Sequence, residues 1–158
     1  MTITRASVGD AAEILALQKL AYVSEAQIYD DYDIPPLAQT LEEITAEFGE
    51  SVVLKLVSDD RIIGSVRARE TGGIVEIGRI IVHPDNQGQG WGRRLLAAME
   101  AEFPRTACFE LFTGDRSERN LHLYRSSGYV DVRHDQMNGG PTLVYLRKQG
   151  ADQTGQVP

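Results

Sequence analysis

Three glycines at alternate positions, Gly88, Gly90 and Gly92, stand directly before Arg93 and Arg94. Such spacing costs backbone entropy and helix stability, so it belongs where backbone must come close to something. The next residues form an amphipathic run, with Leu95, Met99 and Phe103 four apart on one face and Leu96 beside them. The glycines therefore open a helix. Its free N–H groups and positive dipole end suit an anion such as a phosphate, to which Arg93 and Arg94 can add charge-assisted bonds. Two familiar phosphate loops do not fit. A Walker loop ends in Gly-Lys-Ser/Thr, and here arginines replace both the lysine and the magnesium-binding hydroxyl. A dinucleotide fingerprint needs its third glycine two residues later than Gly92 and starts directly after a strand, whereas residues 83–87 intervene.

Other residues offer chemistry elsewhere. Tyr29, Asp30, Asp31, Tyr32 and Asp33 place three carboxylates and two aromatic rings within five positions. That composition suits a cation by charge and by cation–π contact, and suits a solvated acidic loop equally. Glu76 is a lone carboxylate between Val75 and Ile77, open to a solvent face or to pairing with Arg79. Cys108 is the only cysteine, so the chain has no internal disulfide; it lies in an apolar run and reads as a core residue rather than a nucleophile. His83, His122 and His134 have no CxxC or HExxH companion, so no metal site is expected.

The elements that must position these groups follow from periodicity. A β-branched run, Ile74, Val75, Ile77, Ile80, Ile81 and Val82, makes a central strand closed by Pro84, and Pro104 ends the helix after the glycines. Residues 2–5 read as a first strand. Asp10 with Glu13 reads as a capping box for a helix from Ala11, with Ile14, Leu17 and Ala21 buried and Leu20 adjoining. Residues 24–37 read as loop. Thr40 and Glu43 cap a second helix carrying Leu41, Ile44 and Phe48, which stops at Gly49. Residues 52–58 and 61–70 form a hairpin across Asp59-Asp60, and Gly72-Gly73 turns into the central strand. A strand at 108–113, a helix at about 117–126 stopped by Gly128, and closing strands at 129–133 and 142–147 complete the order.

That order describes an α/β domain, with a mixed, mostly antiparallel twisted sheet of about seven strands and about four helices, over residues 1–148; residues 149–158 have almost no apolar content and are expected to be a disordered tail. The length of 158 residues, 42% hydrophobic and 25% charged, is that of one soluble domain. A net charge of −7 without a basic block argues against nucleic acid as partner. The chain has no apolar signal region and no run long enough to span a membrane, which points to the cytoplasm.

Two blocks carry a resemblance. Gln87-x-x-Gly90-x-Gly92, preceded by Val82-His83-Pro84, resembles the acyl-CoA loop of the GNAT N-acetyltransferase superfamily, and SERNLHLYRSSGY at 117–129 resembles its later helix. The element order is also that of this family. The resemblance implies acetyl-CoA as cofactor and transfer of its acetyl group to a small amine in a ternary complex. It implies that the pyrophosphate sits on backbone N–H groups of Gly88, Gln89, Gly90, Trp91, Gly92 and Arg93, with Gln87 also at the cofactor and the Trp91 ring packed under the helix. Ile80, Ile81 and Val82 would bond pantetheine through backbone groups, where the central strand parts from its neighbour. Tyr124 would protonate the departing thiolate. Glu76, fourteen residues before Gly90, would be the general base, with water as the alternative. The family's usual asparagine seven residues before the tyrosine is Ser117 here, with Asn120 one turn on, and either is a candidate to contact the cofactor. The segment from Tyr29 to Asp33 would form the acceptor wall. A non-catalytic acyl-CoA-binding module is the alternative function, and edge strands at the closing hairpin would allow a homodimer.

Overall fold

Where β-branched residues alternate with polar ones the chain forms strands: β1 (Thr2–Arg5), β2 (Val52–Ser58), β3 (Arg61–Thr71), β4 (Ile74–Val82), β5 (Cys108–Gly114), β6 (Val130–Gln136) and β7 (Thr142–Gln149). The computed structural model describes residues 1–136 and 138–151. All seven strands join one sheet in the order β1-β2-β3-β4-β5-β7-β6, and β4–β5 is its one parallel pair. Asp59, Asp60, Gly72 and Gly73 all take positive φ, as the tight turns of the β2-β3-β4 meander require. No helix among the described residues is long and apolar enough to cross a membrane.

The helices are α1 (Ala11–Ala21), α2 (Val23–Tyr29), α3 (Pro35–Ala38), α4 (Leu41–Glu47), α5 (Trp91–Ala101) and α6 (Glu118–Ser126). They outnumber the expected four because the segment read as loop holds α2 and the one-turn α3. Ala26 is the only buried residue of α2, so its apolar stripe is nearly absent, and Asp30 closes it in the left-handed conformation. Thr40 and Glu43 cap α4 as expected, with bonds of 3.2 and 2.9 Å. The capping box expected at Asp10 and Glu13 does not form. A 3-10 turn, Val8–Asp10, precedes α1 and moves the entry upstream, so Asp10 accepts from Ser7 N–H and Lys55, both at 2.9 Å. Glu13 instead accepts from Ile62 N–H at 2.7 Å.

Helix α5 presses Leu95, Leu96 and Met99 onto one sheet face, each buried side chain contributing about 1.5–3 kcal/mol. Helices α1 and α4 cover the other face, where Ala11, Ile14, Leu15, Leu17 and Ile44 meet Val53, Ile62 and Ile81. Leu20, expected beside this stripe, is 47% exposed, and the buried polar Gln18 takes the inner position instead. Gln18 belongs to a network around Arg67. The Arg67 guanidinium donates to Gln18 and Gln39 at 3.0 and 3.2 Å and pairs with Glu47 at 3.3 Å, and Gln18 donates to Pro36 O at 2.9 Å. This network ties α3 and the α3–α4 connection to the sheet.

Two irregularities of β4 open and line the space beside it. Gly78 pairs with Arg67 and Ile81 with Ser65, so Arg79 and Ile80 together oppose Val66, and Arg79 takes a φ of 51°. The bulge reverses the strand's parity: Val75 and Ile77 face the α5 layer before it, Val82 faces that layer after it, and Ile81 turns to α1. Second, β4 pairs with β5 only from Ile74 to Glu76. Beyond Glu76 the two strands part. At the far end, Gly128 takes a φ of 99° and Tyr129 N–H bonds Tyr124 O at 3.1 Å, stopping α6 as expected. Pairing runs past the boundary expected at residue 148, since β7 includes Gln149 and Gly150 N–H bonds Ala107 O at 2.8 Å. Residues 152–158 of the expected tail lie outside the described residues.

Candidate functional site

The glycine loop meets the start of α5 in two different ways. Gly88 and Gly90 have φ of 76° and 86°, and a Cβ built on either meets nothing within 4 Å. The space before them is open. The first intrahelical bond runs from Arg94 N–H to Gly90 O at 3.2 Å, so the amides of Trp91, Gly92 and Arg93 precede it and have no acceptor within the helix. Gly92 differs. Its φ is ordinary, and its Cβ would lie 3.3 Å from Leu123 Cδ2, so its smallness lets α5 approach α6. Trp91 packs against the core, and the Arg94 guanidinium stacks 4.9 Å from its ring centroid. Gln87 donates to Val82 O at 3.0 Å and accepts from Arg119, fastening the loop to both β4 and α6. Arg93 donates to Ser126 and Ser127 at 2.7 and 3.2 Å.

A cavity of about 800 Å³ lies in front of this loop. Ile80, Ile81, Val82, Gln87, Gly88, Gly90, Trp91, Gly92, Arg93, Ser117 and Asn120 all line it. Gln89 is exposed and is the one cofactor candidate outside the lining. Arg119, which the sequence reading did not single out, adds a second cation at the rim.

A second cavity, of about 670 Å³, holds Tyr29, Asp30 and Asp31 of the acidic segment, together with Gly78, Arg79, Phe112, Arg116 and Tyr124. Tyr32 is 57% exposed and, like Asp33, lies outside this lining; Asp33 N–H bonds Asp31 Oδ1 at 2.9 Å. Tyr22, Glu25, Ser117 and Asn120 line both cavities. The gap that opens when β4 leaves β5 is where the two spaces meet.

A directed hydrogen-bond chain crosses this junction. Arg116 N–H donates to the Tyr29 hydroxyl at 3.1 Å, which lies 2.7 Å from Ser117 Oγ. Ser117 donates to Glu25 Oε2 at 2.7 Å, so the Tyr29 proton points to Ser117. Asn120 Nδ2 donates to Glu25 Oε1, also at 2.7 Å. Ser117 and Asn120 thus both hold the Glu25 carboxylate. Burial raises the Tyr29 phenol above its ordinary value, with the Ser117 bond opposing. Tyr124 is 7% exposed, and burial pushes its phenol far above the usual range, with Tyr22 and Glu25 adding to the effect. It is a neutral, protonated group.

Glu76 is not brought to this junction. It is exposed, sits at the paired end of β4 opposite Arg69 and Glu110, and lines neither cavity. Nor does it pair with Arg79. Cys108 also lies outside both cavities, and burial raises its thiol above the ordinary value. Among the described residues no group of three or more His, Cys, Asp or Glu gathers to hold a metal. The sequence gives no site role to Tyr22, Glu25 or Arg116, and offers Arg79 only as a partner for Glu76. Tyr22, Glu25, Ala26 and Tyr29 fall at helical spacing, a pattern that a loop over residues 24–37 hides.

The family model described as Acetyltransferase (GNAT) domain matches residues 49–131. Among curated proteins, UPF0157 protein YqkA of Bacillus subtilis (strain 168) is 28% identical over 119 residues, 75% of this chain. The chain spans only 34% of that relative's length. The crystal structure of the ribosomal-protein-S18-alanine N-acetyltransferase from Escherichia coli is similar with a TM-score of 0.78 at 17% identity, over 94% of this chain and 92% of that one. That of PaiA N-acetyltransferase from Thermoplasma acidophilum, in complex with coenzyme A, has a TM-score of 0.76 at 15% identity, over 94% and 99%. At such identities these two likenesses speak for the fold alone.

Proposed function

The chain belongs to the GNAT acetyltransferase family, and on that basis we propose that it moves the acetyl group of acetyl-CoA to the amine of a small acceptor, by direct transfer in a ternary complex. The observation that carries this reading is the pair of cavities meeting at the β4–β5 gap, with Glu25 on the wall of both. The first cavity fits the cofactor: Gly88 and Gly90 keep open a space that a Cβ would enter, in front of three helix-terminal amides and beside Arg93 and Arg119. Acetyl-CoA, when bound, supplies the activated thioester.

The chain's own residues supply the rest. The α5 amides hold the pyrophosphate. Backbone groups of Ile80, Ile81 and Val82 that point toward β5 have no strand partner there, and so serve the pantetheine arm and polarise the acetyl carbonyl. An ammonium must lose a proton before it attacks, and Glu25, held in position by Ser117 and Asn120, takes it directly or through water. The amine N–C bond forms, the C–S bond breaks, and Tyr124 gives its proton to the departing thiolate. Cys108 lies outside both cavities, in keeping with a route that has no acyl-enzyme. Asp30 and Asp31 beside Glu25 favour a positively charged amine in the second cavity.

The test is thiol release from acetyl-CoA against a panel of amines, with CoA binding followed by calorimetry. Amine-dependent release supports the reading. Tight CoA binding with no release for any amine would favour a binding module, and no CoA binding would overturn the cofactor assignment.

A further inference from the structure

The acceptor cavity holds a cation that the protein leaves without a counter-charge. Arg79 lines this cavity, its Nε is buried with no hydrogen-bond partner, and no carboxylate of the described residues lies within ion-pairing distance of it. Arg67, opposite the adjacent Gly78 on the β3–β4 ladder, is a buried cation whose carboxylate partner, Glu47, is already engaged. Beside the Arg79 guanidinium lies an aromatic group, the Tyr22 ring, at 6.0 Å to its centroid. The guanidinium meets the Tyr22 hydroxyl by a hydrogen bond but no counter-charge, its buried Nε stays unsatisfied, and its planar fork matches a carboxylate.

The backbone points the same way. Arg79 is the bulged residue of β4 and sits at a φ of 51°, a left-handed conformation that strains a residue other than glycine. Bulges beside active sites re-aim a side chain. Here the strand keeps a strained arginine on the wall of the second cavity, where glycine would relieve the strain. On the same wall Arg116 stacks 5.6 Å from the Tyr29 ring, while Glu25, Asp30 and Asp31 supply negative charge. The cavity therefore offers both signs.

We propose that the acceptor is an amine that also bears a carboxylate, a small amino acid, whose carboxylate pairs with Arg79 while its ammonium faces Glu25. This rests on the acetyl-transfer reading and narrows its acceptor from a plain cationic amine to a zwitterion.

The experiment compares L-α-amino acids, each with its own decarboxylated amine, in the thiol-release assay for wild type, Arg79→Gln and Arg79→Lys. Comparing ratios between enzymes cancels differences in amine basicity. The expected result is a kcat/KM preference for the amino acid of about tenfold or more in wild type, which is the scale of one charged hydrogen bond. That preference collapses toward one in Arg79→Gln, through acceptor KM, and returns in part in Arg79→Lys. Arg79 does not line the cofactor cavity, so CoA affinity serves to show that each variant is folded. Equal or better use of the decarboxylated amines by wild type, or a ratio unmoved by Arg79→Gln, overturns the proposal while leaving acetyl transfer standing. If no amine of either kind releases thiol, acetyl transfer fails and calorimetry decides the carboxylate site. Amino acid binding to CoA-saturated wild type that is lost in Arg79→Gln supports it, and no difference overturns it.

Discussion

Replacing Gly90 with alanine separates a backbone role from a packing role within one loop. Gly90 is the N-cap of α5 at φ 86° and ψ 8°. An alanine held there costs about 1–2 kcal/mol, which at about 2–4 °C per kcal/mol for a domain of this size lowers Tm by roughly 2–8 °C. The new methyl meets no protein atom within 4 Å, so the variant folds. It does enter the space before the α5 amides. Displacing a phosphate oxygen from one of them forfeits a charge-assisted bond of about 1.5–3 kcal/mol, a weakening of CoA binding by roughly 10- to 150-fold. Calorimetry with CoA, and in parallel with an acetyl-pantetheine lacking the pyrophosphate, reads the effect. The loss should fall on CoA alone. Gly92→Ala makes the contrast, because its methyl points at Leu123 rather than at the ligand and should leave CoA affinity close to wild type. Unaltered CoA affinity in folded Gly90→Ala, or an equal loss for the pyrophosphate-free thioester, would refute the reasoning.

Glu25→Gln keeps the shape of the junction and removes the proton acceptor, so kcat should fall by roughly two to four orders of magnitude, whereas Glu76→Gln should stay near wild type; steady-state rates of the two variants decide between the carboxylates. Tyr124→Phe should lower turnover with little change in acetyl-CoA affinity, measured by kinetics and calorimetry together. Asp30→Asn combined with Asp31→Asn should raise acceptor KM by an amount that shrinks as salt rises, and Asp33→Asn, outside the cavity, should not; a KM equally sensitive to all three would undo the assignment of the wall. Burial holds the Tyr124 and Tyr129 phenols above their ordinary value of 10.0, so the stability they support is complete below about pH 10 and is lost as pH rises further, when the unfolded chain releases its protons first. Tm should therefore drop above about pH 10, less steeply in Tyr124→Phe.

Strands, the glycine loop and α5 were legible because each depends on neighbours in sequence: alternation, positive-φ turns and a four-residue stripe. What depended on distant residues was not. Glu25 reads as one polar residue in a weakly patterned segment, and the groups that give it meaning, Ser117 and Asn120, lie 92 and 95 positions away. The bulge at Arg79 has no local signature, since arginine is not a residue that advertises a left-handed conformation. Without the bulge, strand alternation misleads about which side chains of β4 share a face. The family resemblance gives Glu76 the base role, yet it stands where β4 and β5 are still paired and the cavity has not opened. The capping motif expected at Asp10 gives way to a turn one step upstream, where the carboxylate takes Ser7 N–H and also Lys55, far along the chain.

The opening between β4 and β5 makes the sheet's stability depend on what fills it. Strands β1 to β4 form one antiparallel block and β5, β7 and β6 another, and the ladder between them is three residue pairs long. Past Glu76 each block presents an inner edge with unpaired backbone groups, a feature that in other sheets invites a foreign strand. Under the proposed reading the pantetheine arm lies in that seam as a substitute strand, and its binding free energy becomes folding free energy. At a hundredfold excess over Kd the gain is about 2.7 kcal/mol, a sizeable part of what holds a domain of this size together. Amide exchange along the seam would then slow with donor concentration, and a cell short of acyl donor would carry a softer, shorter-lived protein.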